Sequence, residues 1–141
     1  MQSDIEALLK PISGDNPAGK DIQFSPEIDI LKEARRSEDP TLSQGEWKVE
    51  LKKANWLQVE KLAGNFLIEK SKDLQTSIWL VEALTHNYQF NGVSQGFAFL
   101  RRLLETFWEN LYPAIENNDL SYRVGPFEWM DRNLPPVIQS L

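Results

Sequence analysis

Between Asn55 and Leu111 the chain carries three long stretches of helical hydrophobic spacing with only a few residues between them. Connections that short force successive helices to run antiparallel as neighbours. The first stretch opens with Asn55 and Gln58 in a capping-box pattern and continues with Trp56, Val59, Leu62, Ala63, Phe66 and Leu67 at helical intervals. Asp73 can cap the second, which carries Leu74, Ile78, Val81, Leu84 and Tyr88 on one face. Trp79, Leu80 and Ala83 widen that arc, so this helix is expected to be the most buried. Asn91-Gly92 reads as its stop. The third runs from about Val93 to Leu111 with Phe97, Leu100, Leu103, Leu104, Phe107, Trp108 and Leu111 in register, and Pro113 closes it. Trp56, Trp79 and Trp108 all read as core.

Upstream, Ser3 can cap a short helix near Asp4 to Lys10, which Pro11 ends. Residues 11–26 then form a loop punctuated by Pro11, Gly14, Pro17 and Gly19. Asn16-Pro17-Ala18-Gly19 has the type I turn pattern, with Pro second and Gly fourth. Ser25 as N-cap and Pro26 at the first helical position announce another helix, with Ile28, Leu31 and Ala34 as its apolar stripe. Residues 37–54 read as loop, with a β-hairpin as the alternative, because Pro40 and Gly45 break any helix while Trp47, Val49 and Leu51 alternate. A last helix begins near Pro126, and Pro135-Pro136 must kink or restart it. The expectation is one all-α domain over residues 1–141: an antiparallel bundle of about five to seven helices with a long ordered Pro/Gly loop near its N-terminus.

A chain of 141 residues suffices for one contiguous core. Its net charge of −6 disfavours a phosphate backbone as partner, since nucleic-acid affinity rests mainly on Lys and Arg. With no cysteine, disulfides and thiolate chemistry are excluded. The start, MQSDIEALLK, is no secretory signal, and no window approaches the ~20 apolar residues of a membrane span. A cytoplasmic protein without membrane insertion is expected.

Little in the polar residues suggests chemistry. His86 is the only histidine, and it has no second ligand at metal spacing. Asp15, Asp21 and Asp29 suggest a carboxylate cluster but lack a calcium ladder, the loop has no phosphate cradle, and Asp and Asn beside Pro and Gly read as turn formers. Glu105 and Glu109 lie one turn apart on a helix, unlike paired hydrolase carboxylates, which flank a cleft. No catalytic or cofactor-binding residue is expected. The candidate partner contacts are Trp47, an indole in a charged segment, and Asp15, Asn16 and Lys20 in the Pro/Gly loop.

Three segments together resemble the N-terminal domain of the ImpA/TssA family of bacterial type VI secretion: PISGDNPAGKDIQFSPEID from Pro11, NWLQVEKLAGNFLIEKSKDLQTSIWLVEAL from Asn55, and GFAFLRRLLETFWENLYPAIENND followed by Arg123 and FEWMDRNL. The matching signature positions are Pro11, Gly14, Asp15, Pro17, Gly19, Asp73, Trp79, Trp108 and Pro113. Lys20 stands where an acidic residue is frequent in such loops, and Phe24 where tyrosine is. Members of the family are usually longer, so the resemblance implies the N-terminal part of a larger protein. It also implies a non-enzymatic scaffold that docks baseplate, tail-tube or sheath proteins during tail assembly, with a homo-oligomer as one form. Two alternatives stand beside it: a dimerisation module without external partner, and an accessory enzyme holding a metal between Asp15, Asp21 and His86.

Overall fold

The computed structural model describes residues 5–38 and 51–141, and within them the chain is all helix and connection. Six helices follow in order: α1 (Ile5–Leu8), α2 (Pro26–Arg35), α3 (Trp56–Glu69), α4 (Leu74–Tyr88), α5 (Phe90–Phe107) and α6 (Ser121–Gln139). The expected bundle is therefore present, with helix α4 at its centre. α4 packs against α3, α5 and α6, while α2 and α1 lie on α3.

Local chemistry explains most of the boundaries. Asn55 Oδ1 accepts from the Gln58 amide at 3.1 Å and starts α3. Asp73 does the same for α4, its Oδ2 accepting from both the amide and the hydroxyl of Thr76 at 2.8 Å. Ser25 precedes α2 as expected but makes no side-chain cap. Its hydroxyl donates back to the Ile22 carbonyl instead, at 2.7 Å.

α4 is buried on every side, from Leu74 to Thr85 with only Gln75 partly open. Two of its buried hydroxyls are satisfied inside the helix: Ser77 Oγ donates to Asp73 O and Thr85 Oγ1 to Val81 O, both at 2.8 Å. Its Ile78 and Leu84 meet a core completed by Leu31, Val59, Leu67, Phe99, Leu103 and Leu111. Each such side chain contributes about 1.5–3 kcal/mol on burial.

Four expectations need correction. Asn91-Gly92 does not end the second long helix; the break falls at Gln89, whose φ of 57° turns the chain, and Gly92 lies inside α5. Trp108 is not core. It follows the last residue of α5 and is 37% exposed. The last helix starts at Ser121, a turn before Pro126, and runs through Pro135-Pro136 to Gln139 without restarting. α1 is only four residues long, with Asp4 outside the described residues.

The ends of the 37–54 segment meet, because the Glu38 amide donates to Lys52 O at 2.8 Å and the Ala54 amide to Ser37 Oγ at 3.0 Å. Residues 39–50, Trp47 among them, lie outside the described residues.

Candidate functional site

Three irregular segments converge at one end of the bundle, and most of the signature residues sit there. The turn at Asn16–Gly19 closes with Gly19 N donating to Asn16 O at 2.9 Å, and Asn16 Oδ1 accepts from Ala18 N at 2.8 Å. The turn is then stitched to the α3–α4 junction: Lys20 N donates to Lys70 O at 3.1 Å and Lys72 N to Ala18 O at 2.7 Å. From the other side, Tyr112 N donates to Lys72 O at 3.1 Å and Leu74 N to Tyr112 O at 2.7 Å. The Tyr112 hydroxyl bridges back to the turn, donating to Gly19 O at 3.0 Å and accepting from Asn16 Nδ2 at 3.2 Å.

Gly19 is required by this arrangement. Its φ is +79°, and a Cβ would stand 2.2 Å from Lys70 O.

Beneath the junction lies Lys72, fully buried. Its ammonium donates to Leu8 O at 2.7 Å and Leu67 O at 2.6 Å and sits 5.3 Å from the Phe107 ring centroid. It thereby ties α1 and the last turn of α3 to α5. Burial pushes its pKa down from 10.5 to about 8.

The sign of the resulting pH dependence is fixed. Between about pH 8 and 10.5 the unfolded chain still holds a proton that the folded chain has released, so stability rises with pH across that window. The rise is bounded at about 3 kcal/mol, because the two carbonyls and the ring face favour the ammonium. Urea unfolding of the native chain and of Lys72→Met at pH 7.5 and 10 is the check. The native chain should gain stability relative to the variant, and parallel curves would show that the amine does not titrate there.

Three further charged side chains, Arg35, Glu82 and Arg123, hold the helices together. Arg35 of α2 forms a two-pronged pair with Glu82 of α4, Nε and Nη2 each 3.0 Å from a carboxylate oxygen. Its guanidinium carbon lies 5.3 Å from the Trp79 ring centroid and 4.9 Å from that of Trp129 in α6. Burial raises the Glu82 pKa, and the Arg35 charge works against that rise. Arg123 of α6 is 2% exposed and donates to three carbonyls beyond α5: Trp108 O at 2.6 Å, Leu111 O and Pro113 O at 2.8 Å.

Trp108 lies over Arg123, with the guanidinium carbon 4.6 Å from its ring centroid. Trp108→Ala should therefore cost about 1 kcal/mol, the scale of a half-exposed cation–π contact. A buried indole would cost 3–5 kcal/mol, and a thermal or urea measurement in that range would return the ring to the core.

The candidate contact residues divide. Asp15 and Lys20 are exposed, as a docking role needs, whereas Asn16 is part-buried and spends its side chain inside the turn. Phe24 in the same loop is 92% exposed. His86 stacks on Trp56 with centroids 4.0 Å apart, and burial followed by the Arg35 charge lowers its pKa. It lies thirteen residues along α4 from Asp73, about 20 Å away. Among the described residues no three His, Asp or Glu side chains come together as a metal site would require, so Asp15, Asp21 and His86 form no cluster.

The sequence reading passed over the buried cations. Lys72 was visible inside the SKDL helix start and Arg123 beside the third resembling segment. Glu82 and Arg35 carried no signal of their own.

Beside the junction a groove of about 440 Å³ opens between the Asp21–Gln23 loop, α2, the start of α4 and the start of α6. Asp21, Asp73 and Lys32 bring charge to it, and Gln75, Trp79 and Tyr122 contribute to its walls. Burial raises the Asp73 pKa and the neighbouring Asp21 charge adds to this, while the Thr76 hydrogen bonds oppose it.

Among the described residues no helix is long and apolar enough to cross a membrane. Comparison with known proteins places the fold. A family model described as ImpA, N-terminal, type VI secretion system matches residues 9–132. The type VI secretion system component TssA1 of Pseudomonas aeruginosa is 26% identical over 125 residues, covering 86% of this chain and 36% of that protein. A solved N-terminal domain of the TssA component from Burkholderia cenocepacia, which includes the conserved ImpA_N region, superposes with a TM-score of 0.80 at 32% identity. That match covers 97% of this chain and 50% of the solved one. The chain spans about a third to a half of the relatives it matches, and it belongs to the ImpA N-terminal family of the type VI secretion system.

Proposed function

We propose that this chain is a non-enzymatic assembly component of a type VI secretion system, a rigid helical adaptor that docks baseplate, tail-tube or sheath proteins. The family match over residues 9–132 carries the reading. The disposition of its charged groups supports it. Lys72, Glu82, Arg35 and Arg123 all spend their hydrogen bonds on the chain itself, bracing one segment against another. Groups committed in this way build a scaffold, and what they leave for partners is the exterior.

Crosslinking mass spectrometry on the intact secretion apparatus tests the proposal. Lysine crosslinks from this domain to baseplate, tube or sheath proteins are expected, together with loss of secretion when the domain is deleted. Unchanged secretion and unchanged contacts after deletion would overturn it.

A further inference from the structure

The geometry points to the 440 Å³ groove between α2, α4 and α6 as a docking site for an extended peptide segment of a partner protein that inserts a lysine or arginine side chain. This rests on the adaptor reading and names the site it would use. Two features of the groove call for different parts of such a segment.

The first is charge. Asp21 and Asp73 line the groove against the single cation Lys32, and the chain as a whole carries −6. Asp73 Oδ2 is committed to Thr76, and Asp21 Oδ1 accepts from the Gln23 amide, which leaves the second oxygen of each carboxylate for an incoming cation. The Tyr122 ring, 62% exposed, supplies an aromatic surface for the aliphatic stem.

The second is a pair of donors without acceptors. Trp79 is 6% exposed and lines the groove, yet its indole Nε1 has no hydrogen-bond partner, and neither does Gln75 Nε2 beside it. Buried donors are ordinarily satisfied, and a small rotation of either groove-lining side chain would bring its N–H to an acceptor entering from outside. A lysine or arginine side chain has none, whereas a peptide backbone brings a carbonyl with every residue. A bare metal ion or a polyamine would meet the carboxylates and leave both donors unpaired. Phe24, 92% exposed and next in the chain to the groove-lining Gln23, offers further apolar surface for a segment that runs past the opening.

The test is NMR titration of the chain with an acetylated, amidated alanine-glycine heptapeptide carrying one central arginine. The same peptide with central glutamate, and spermidine, serve as comparisons. The arginine peptide should bind and move the Trp79 indole N–H resonance. Asp21→Asn should weaken it at least fivefold and Lys32→Glu should strengthen it at least threefold; both positions are exposed, so neither substitution threatens the fold. Equal binding of the glutamate peptide, or a spermidine response that reproduces the arginine shifts, would overturn the proposal. So would groove resonances that broaden with protein concentration alone, which marks a second copy as occupant.

In cells, a photo-crosslinker at Tyr122 separates the two levels of the argument. Partner crosslinks from Tyr122 support the groove. Partner crosslinks from Phe97 on α5 with none from Tyr122 would overturn the groove and leave the adaptor reading standing.

Discussion

Gly92→Ala should destabilise the fold by about 4 kcal/mol or more, although alanine is the better helix former by about 1 kcal/mol. Gly92 lies in the first turn of α5 against the backbone of α4, and an added Cβ would stand 1.8 Å from Leu84 O and 2.4 Å from Leu84 C. Both are backbone atoms, so no rotamer change relieves the overlap. α5 would have to move off α4, opening the contact that Phe99 and Leu103 bury. The propensity gain is too small to decide the sign.

Two other glycines calibrate the result. At Gly96 the nearest atom to a new Cβ is Val81 Cγ1 at 3.0 Å, the end of a side chain that can yield, so Gly96→Ala should cost about 1–2 kcal/mol. At Gly125 in α6 nothing lies within 4 Å, and alanine should be neutral or stabilising by up to about 1 kcal/mol. Urea unfolding of the three variants gives the order directly. A Gly92→Ala protein within 1 kcal/mol of the native chain would mean that the α4–α5 approach is looser than described.

That glycine also shows where the sequence ran out. Asn91-Gly92 carries a strong helix-stop signal, but the demand for close approach placed the glycine within a helix, and Gln89 took the left-handed turn instead. Trp108 misled for a related reason. Phe107 and Trp108 are neighbours about 100° apart on a helix, so only one can point fully inward, and periodicity does not choose between them. Phe107 took the core, at 2% exposed.

Where signals were local they held. The Asn55 and Asp73 caps are made as read, and the wide apolar arc of α4 became the central helix. The candidate site was less legible. Lysine and arginine are ordinarily surface residues. What buries Lys72 and Arg123 is a set of carbonyls on segments without regular structure, and hydrophobic spacing says nothing about where those carbonyls point. The groove fared the same way, since its walls come from four separate stretches of chain.

Arg123→Met is the second large effect, an expected loss of about 3–5 kcal/mol. The guanidinium alone spans the carbonyls of Trp108, Leu111 and Pro113, which end α5 and begin the connection to α6. Methionine fills most of the volume and removes the cost of burying a charge, a gain that burial's downward pull on the Arg123 pKa makes plain. Against this, the buried Leu111 carbonyl and the part-buried carbonyls of Trp108 and Pro113 lose their donors, at about 1–3 kcal/mol for a fully buried group and less for the other two, and the Trp108 ring loses the cation beneath it. The losses outweigh the gain. Lysine should recover little, because its donors radiate from one point and cannot follow a fork that reaches three acceptors.

The unfolding should also have a local stage. Hydrogen exchange in Arg123→Met is expected to accelerate first in residues 108–125 and in α6, while the α3–α4 pair keeps its protection. A loss below about 1 kcal/mol, or uniform exchange across all helices, would show that the carbonyls find water and that Arg123 does not dock α6.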